Sequence, residues 1–195
     1  MNFSNGESKI TAKRAFSGGG TLNLLRGAKL TLTTRELGKI TANVKEGASL
    51  TTIKDTVEVA ADNVLHNEGG TVYAENIHLN GGCITQSAGL MTMENLDAAS
   101  GKLELSGGTL SLTKKLQCAD DVISLGKNSE VIISPISIGL VDANGKKTYT
   151  LGQGNQIEGW TLTGVGLIKN AGGTITVNLG ENSSLQILSN EYAHL

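Results

Sequence analysis

The sequence predicts an all-β protein, a right-handed parallel β-helix that stacks short strands into a rod. Three observations lead to this prediction: short glycine-led units with alternating aliphatic residues, very few aromatic residues, and few turns suited to antiparallel hairpins. The chain has 195 residues with 26 glycines, and aromatic residues make up only 3%. A compact globule usually fills its interior with several large rings. A thin, aliphatic core therefore favours a solenoid.

The repeated unit is a glycine followed by a strand-like alternation, seen twice within 19–34, GGTLNLLRGAKLTLTT. Glycine suits the turn because positive φ costs it little. The residues that follow alternate outward and inward, as a strand with one buried face requires. Leucine, isoleucine and valine fill the inward positions, and Thr, Ser, Lys and Glu the outward ones. The unit recurs at 38–42, 70–74, 82–86, 101–105, 108–112 and 173–177.

The spacing of the glycine-led units predicts the number of coils, and it also leaves one alternative fold open. Strands of three to five residues and corners at the glycines predict about 20 to 25 residues per coil, hence about eight coils. Antiparallel folds of this size need several Asn-Gly type turns, and the one convincing example is Asn144-Gly145. A β-sandwich remains the alternative, since short strands with closely spaced turns are typical of it too.

The chain divides into four predicted regions. Residues 1–16 lack the glycine units and are expected to form an N-terminal cap or first strand. Residues 17–134 form the β-helix coils. Residues 135–163 read as a β-hairpin insertion or edge, because two alternating runs flank a turn. Residues 164–195 form the final coils and a C-terminal cap.

Individual side chains can be assigned to the inside or the outside from the alternation. Leu110 is expected inside and Ser111 outside, and Met91 and Met93 occupy inward positions of a weaker rung at 87–100. Cys83 is expected to face outward and Cys118 inward. Opposite facing is incompatible with the geometry of a disulfide, so both thiols are expected to be free.

Composition excludes several classes of function. The formal net charge is −2 and no basic stripe occurs, so nucleic acid is not an expected partner. No run of eighteen apolar residues predicts a membrane-spanning helix. The histidines His66, His78 and His194 have no metal-ligand spacing, and no phosphate loop or nucleophile motif occurs. We therefore expect no metal, no cofactor and no catalytic residues.

The glycine-led units resemble the passenger β-helices of bacterial autotransporters and related surface adhesins. The stretch DANGKKTYTLGQG at 142–154 resembles a hairpin found late in such passengers. The resemblance implies an exported rod at the cell surface or outside the cell, used for adhesion or display, with no fixed catalytic residues. Its expected partners are host or cell-surface glycans or proteins, and the solenoid ends offer a route to self-association.

Neither a secretory signal nor a membrane anchor is recognised in this segment. Together with the resemblance, this leads us to expect a passenger segment of a larger protein. Trp160, in the predicted hairpin region, is expected to cover an exposed core edge, with a ligand platform as the other interpretation.

The sharpest enzyme-like stretch is CADDVISLGKNSEVIIS at 118–134, which is similar to the paired-aspartate segment of polygalacturonase-type glycoside hydrolases. In that resemblance Asp120 and Asp121 supply the acid and base for glycosidic cleavage. The chain departs from the pattern because no Gly-His-Gly follows and Leu167 stands where arginine is expected. A carbohydrate-active β-helix using these aspartates is the alternative function, and the other interpretation places both in a solvated turn.

A third interpretation concerns the outward threonines, which could align into a flat ladder. Regular threonine faces on β-helices resemble those of ice-binding proteins. Threonine also favours strands for reasons unrelated to any ligand. The residues concerned are Thr21, Thr31, Thr41, Thr51, Thr71, Thr109 and Thr174.

Overall fold

The computed structural model is all-β and forms a parallel β-solenoid of about 6 turns. It describes residues 1–13, 18–119 and 122–133, and beyond them the backbones of short strands between 137 and 185. No helix occurs among the described residues. The solenoid prediction is thereby confirmed against the β-sandwich, since the strands pair in parallel between successive turns.

The strands fall into three groups along the chain. The first turns contain β1 (Asn2–Phe3), β2 (Gly6–Thr11), β3 (Gly20–Leu24), β4 (Ala28–Thr33), β5 (Ile40–Lys45) and β6 (Ser49–Ala60). The middle of the molecule is formed by β7 (Val64–Cys118) and β8 (Ile123–Ile133). The last strands are β9 (Ser137–Asp142), β10 (Gly145–Thr150), β11 (Gln156–Ile157), β12 (Ile168–Asn170), β13 (Thr174–Val177) and β14 (Ser184–Leu185).

Each turn contributes to three faces of the solenoid. The first face contains β1, β3, β5 and the start of β7, paired in parallel. The second face contains β2, β4, residues 49–52 and residues 71–74. The third face contains residues 56–60 of β6 and 76–80 of β7, and further along, residues 115–118 beside β9. Side-chain hydrogen bonds join turns through residues 19 to 24 positions apart.

The core is a narrow column of aliphatic side chains, as the alternation predicts. The buried rows stack in register, for example Leu30 beside Leu50 and Leu110 beside Val131. Leu110 is fully buried and Met91 and Met93 are buried with it, whereas Ser111 is only partly covered. Because each turn buries its inward face only against its neighbours, no turn would be stable alone.

Both cysteines are free thiols, as predicted. Cys118 is completely buried in the core, and Cys83 lies on an outward strand position with intermediate exposure. Burial of Cys83 raises the pKa of its thiol.

Strand length differs from the prediction of three to five residues. β2 already has 6 residues, and β7 continues over 55 residues around several corners. The chain can remain a strand at a corner when the backbone keeps its hydrogen bonds to the turn beside it. Gly108, at φ 79°, takes one such corner next to Gly89, at φ 82°. A Cβ on Gly108 would stand 2.5 Å from the carbonyl oxygen of Gly89, so only glycine fits.

Buried polar side chains form hydrogen bonds on the inner side of the corner at Gly89 and Gly108. The Asn67 amide donates to Gln86 Oε1 at 3.2 Å, and its own Oδ1 accepts from the Gly70 N–H at 3.0 Å. Both amide side chains are buried. They satisfy backbone and side-chain groups that the aliphatic core cannot, since a buried polar group without a partner costs free energy.

Strand pairing is described within two of the predicted regions, 1–16 and 135–163. In the predicted region 1–16, β1 and β2 pair in parallel with β3 and β4, so the residues of these two strands belong to the first turn of the solenoid. In 135–163, β9 and β10 pair antiparallel, as a hairpin does, and β9 also extends the parallel sheet beside residues 115–118.

Candidate functional site

The third face carries a central row of charged and imidazole side chains on successive turns. Glu36 forms a backbone bridge with Glu58, and Glu58 lies in register with His78. On the next turn, Asn95 donates to Asn76 Oδ1 at 2.9 Å, and Asp97 lines the same groove as His78. Neighbouring turns are about 4.8 Å apart, so this row presents one ionisable group per turn.

A groove runs over this face and encloses about 440 Å³. Both donors and acceptors line it, because asparagine amides, an imidazole, a carboxylate and an ammonium group share its lining. The polar side chains that line it, and define what we term the third-face groove, are Thr56, Asn76, His78, Asn95, Asp97 and Lys115.

A cluster of polar side chains stands at the corner between the second and third faces. The Tyr73 hydroxyl donates to Glu94 Oε1 at 2.8 Å, and Lys114 Nζ donates to Glu94 Oε2 at 2.5 Å. Glu75 is held on the same corner by the Lys54 backbone N–H, which donates to its Oε2 at 2.7 Å. We call Tyr73, Glu75, Glu94 and Lys114 the Tyr73 corner.

The electrostatics of the Tyr73 corner follow from these bonds. The hydrogen bond to Glu94, with burial and the nearby carboxylates, raises the pKa of Tyr73 to about 12. Lys114 and then Tyr73 donate to Glu94, and these bonds lower the pKa of its carboxyl group. At neutral pH, Tyr73 is therefore a neutral donor and Glu94 an ionised acceptor.

The Tyr73 corner and the third-face groove form one continuous surface. Glu94 and Lys114 immediately precede the groove residues Asn95 and Lys115. The Asn95 amide also donates to the backbone carbonyl of Glu75 at 3.2 Å. An aromatic ring, carboxylates, amides and an ammonium group thus lie side by side on a rigid sheet.

A second groove lies at the corner between the third and first faces and encloses about 520 Å³. Lys39 and Asp62 face each other across it with an ion pair of 2.8 Å. The hydrogen bond from Lys39 lowers the pKa of Asp62. Both side chains are mostly exposed, so this pair contributes little to stability. Glu36 and Glu58 border the same groove, and Gly18 and Gly38 leave it open.

The first face presents an amide ladder on its outer side. Asn23 donates to Asn2 Oδ1 at 2.8 Å, and Asn43 donates to Asn23 Oδ1 at 2.7 Å. Further along the same face, His66 Nδ1 and Thr85 Oγ1 are hydrogen-bonded. Such ladders fix the register of stacked turns, because equivalent side chains repeat along the axis.

The structure does not describe the aspartates on which the enzyme-like interpretation depends. Asp120 and Asp121 lie outside the described residues, as does Trp160. Their described neighbours Cys118 and Val122 are buried. Where side chains are described, no group of three or more histidine, cysteine, aspartate or glutamate residues could hold a metal ion.

The threonines of the ice-binding interpretation are divided between two faces. Thr21 pairs with Thr41 on the first face, and Thr31 pairs with Thr51 on the second. The next residue in the row is Val64 after Thr41 and Tyr73 after Thr51. The remaining three stand beside other residue types: Thr71 beside Ser49, and Thr109 and Thr174 beside Glu130.

Sequence reasoning missed the Tyr73 corner, although a signal for it exists. Tyr73, Glu94 and Lys114 are separated by 21 and 20 positions, which is one turn each. Aligning outward residues at that interval would have brought a ring, a carboxylate and an ammonium group together.

Among the described residues, no helix is long and apolar enough to cross a membrane.

Comparison with known protein families, with curated proteins and with solved structures finds no match to this chain.

Proposed function

We propose that this chain is a non-catalytic β-helical segment of an exported bacterial surface protein, an autotransporter-like adhesin or display stalk. It binds host or cell-surface glycan or protein through its outward side chains. One observation carries the proposal: polar outward residues repeat in register along three faces of a rod whose core is aliphatic.

The architecture supports this function in two ways. Outward side chains on parallel strands are held at about 4.8 Å intervals, so their spacing is set before any partner arrives. A repeated surface also suits several weak contacts made at once, which together give useful avidity. The amide ladder from Asn2 to Asn43 and the third-face groove are both surfaces of this kind.

Binding to cells and glycans tests the proposal directly. Beads coated with the purified chain should adhere to cell surfaces and retain members of a glycan and protein panel, whereas beads with an unrelated β-solenoid should not. An assay for newly formed reducing ends is run on the same glycans. Release of reducing ends that disappears in Asp121→Asn would overturn the non-catalytic proposal in favour of a carbohydrate-active β-helix.

The export part of the proposal has its own test. The chain is fused to a reporter in a bacterial host, together with the sequence that flanks it in its gene, and surface exposure is measured by protease accessibility on intact cells. Accessibility at the surface supports the proposal. A product that stays protected until the cells are lysed contradicts it.

A further inference from the structure

We propose that the Tyr73 corner and the adjoining third-face groove form a binding subsite for an uncharged oligosaccharide. This inference rests on the proposed function, which leaves the ligand class open. The site combines an aromatic ring with carboxylate, amide and ammonium groups, fixed by hydrogen bonds across four successive turns.

The ring supplies the apolar part of the site. Within the described side chains, Tyr73 is the aromatic residue on an outward position, since Phe3 packs against the core. Its half-buried ring lies beside Thr51 on the neighbouring turn. A ring fixed at its hydroxyl end offers flat apolar area with little loss of side-chain freedom on binding, and such a surface suits the C–H face of a sugar.

The carboxylates supply acceptors for sugar hydroxyls. Each oxygen of Glu94 receives one protein hydrogen bond, from Tyr73 and from Lys114. An ionised carboxylate has about four acceptor positions, so Glu94 retains capacity for hydroxyl donors from outside. Bonds of this kind are charge-assisted and stronger than neutral ones.

The groove extends the site along the solenoid axis. The amides of Asn76 and Asn95 and the ammonium group of Lys115 line it beside His78 and Asp97. Sugar hydroxyls both donate and accept, and amides match them in both roles. An oligosaccharide lying across the turns would meet new polar partners about every 4.8 Å.

The charge balance argues for an uncharged ligand. Glu75, Glu94 and Asp97 face this surface, and the lysines on it or beside it are Lys54, Lys114 and Lys115. Lys114 is already engaged by Glu94 at 2.5 Å. A uronate or sulfated sugar would therefore approach three carboxylates while one of the lysines is already paired, and like charges repel.

Calorimetric titration tests the inference. The purified chain is titrated with a panel of uncharged hexasaccharides, namely cellohexaose, mannohexaose and a β-1,3-glucan hexaose, and with hexagalacturonate. We expect binding to at least one uncharged sugar and much weaker binding to hexagalacturonate. Tyr73→Ala should weaken binding by about tenfold or more, and Glu94→Gln should weaken it several-fold.

Two further variants separate loss of the site from loss of the fold. Tyr73→Phe keeps the ring and should retain most of the affinity, even if Tyr73→Ala is too unstable to measure. Thr41→Ala, on the outer side of the first face, should bind like the unaltered chain. Preference for hexagalacturonate, equal affinity in Tyr73→Ala, or no binding to any uncharged sugar would overturn the inference. If beads coated with the chain still adhere to cells in that case, the proposed function stands without this subsite.

Discussion

The hydroxyl of Tyr73 donates a 2.8 Å hydrogen bond to Glu94, 21 positions further along the chain and one turn further along the solenoid. The same carboxylate accepts from Lys114 on the turn after that. Three turns are thus joined by one string of polar contacts on the surface of an otherwise aliphatic stack. The effect of these hydrogen bonds that is easiest to measure is the pH at which Tyr73 ionises.

Tyr73 should ionise at higher pH than an ordinary tyrosine. Its pKa is raised from 10.0 to about 12, chiefly by the hydrogen bond to Glu94. The phenolate absorbance that Tyr73→Phe removes should therefore develop near pH 12, and in Glu94→Gln at lower pH. Because the pKa of Tyr73 is raised in the folded state, its protonated hydroxyl stabilises the folded state. This contribution to the free energy of unfolding is fully present below pH 10 and is lost as the pH rises towards 12. An unchanged midpoint in Glu94→Gln would contradict this account.

Substitutions at Leu110 and Ser111 should have very different costs. Leu110 is fully buried beside Val131, and Ser111 points outward. Leu110→Ala should lower the free energy of unfolding by about 2–5 kcal/mol, because it leaves a cavity in the column. Ser111→Ala should change it by less than about 0.5 kcal/mol. Urea denaturation checks both, and similar small losses at the two positions would refute the inward-outward assignment.

Gly108→Ala should destabilise the protein although it adds only a methyl group. Gly108 has φ 79°, and the new Cβ would lie 2.5 Å from the Gly89 carbonyl oxygen. The left-handed conformation alone costs about 1–2 kcal/mol for a residue with a Cβ, and the overlap adds to it. Gly18→Ala is the control, since a Cβ there has no neighbour within 4 Å. Thermal melts should separate the two; equal melting temperatures would rule out the corner strain.

Thiol labelling should distinguish the two cysteines by kinetics. Cys118 is fully buried and should react only when the solenoid opens, so its rate should rise with urea. Cys83 is partly exposed and should react in the folded state, though slowly, because burial raises the pKa of its thiol and lowers the thiolate fraction. Mass spectrometry of Cys83→Ser and Cys118→Ser assigns each rate. Rapid labelling of Cys118 in the absence of urea would argue against a closed core.

The buried side chains of the solenoid could be predicted from the sequence because the alternation within each short unit decides which residues face inward. Every second residue of a unit such as 108–112 must be aliphatic, and the glycine before it marks the corner. Leu110, Met91 and Cys118 were therefore placed correctly without knowledge of the neighbouring turns. The free thiols followed from the same rule.

The outer surface could not be predicted in the same way, because it depends on how successive turns align. The spacing between partners in side-chain hydrogen bonds on neighbouring turns varies from 19 to 24 positions. A difference of one residue changes which outward side chain stands beside Tyr73. Strand lengths were underestimated for a related reason: hydrogen bonds to the turn beside it keep β7 extended through its corners.

The narrow range of inter-turn spacings has a kinetic consequence. Up to β8, each new turn closes on the one before it after about twenty residues, so the entropic cost of each closure is modest and nearly constant. Assembly can begin at one turn and advance by single increments, with no step that needs the distant end of the chain. A polypeptide that becomes available from one end, as during synthesis, could therefore fold one turn at a time onto the turns already formed.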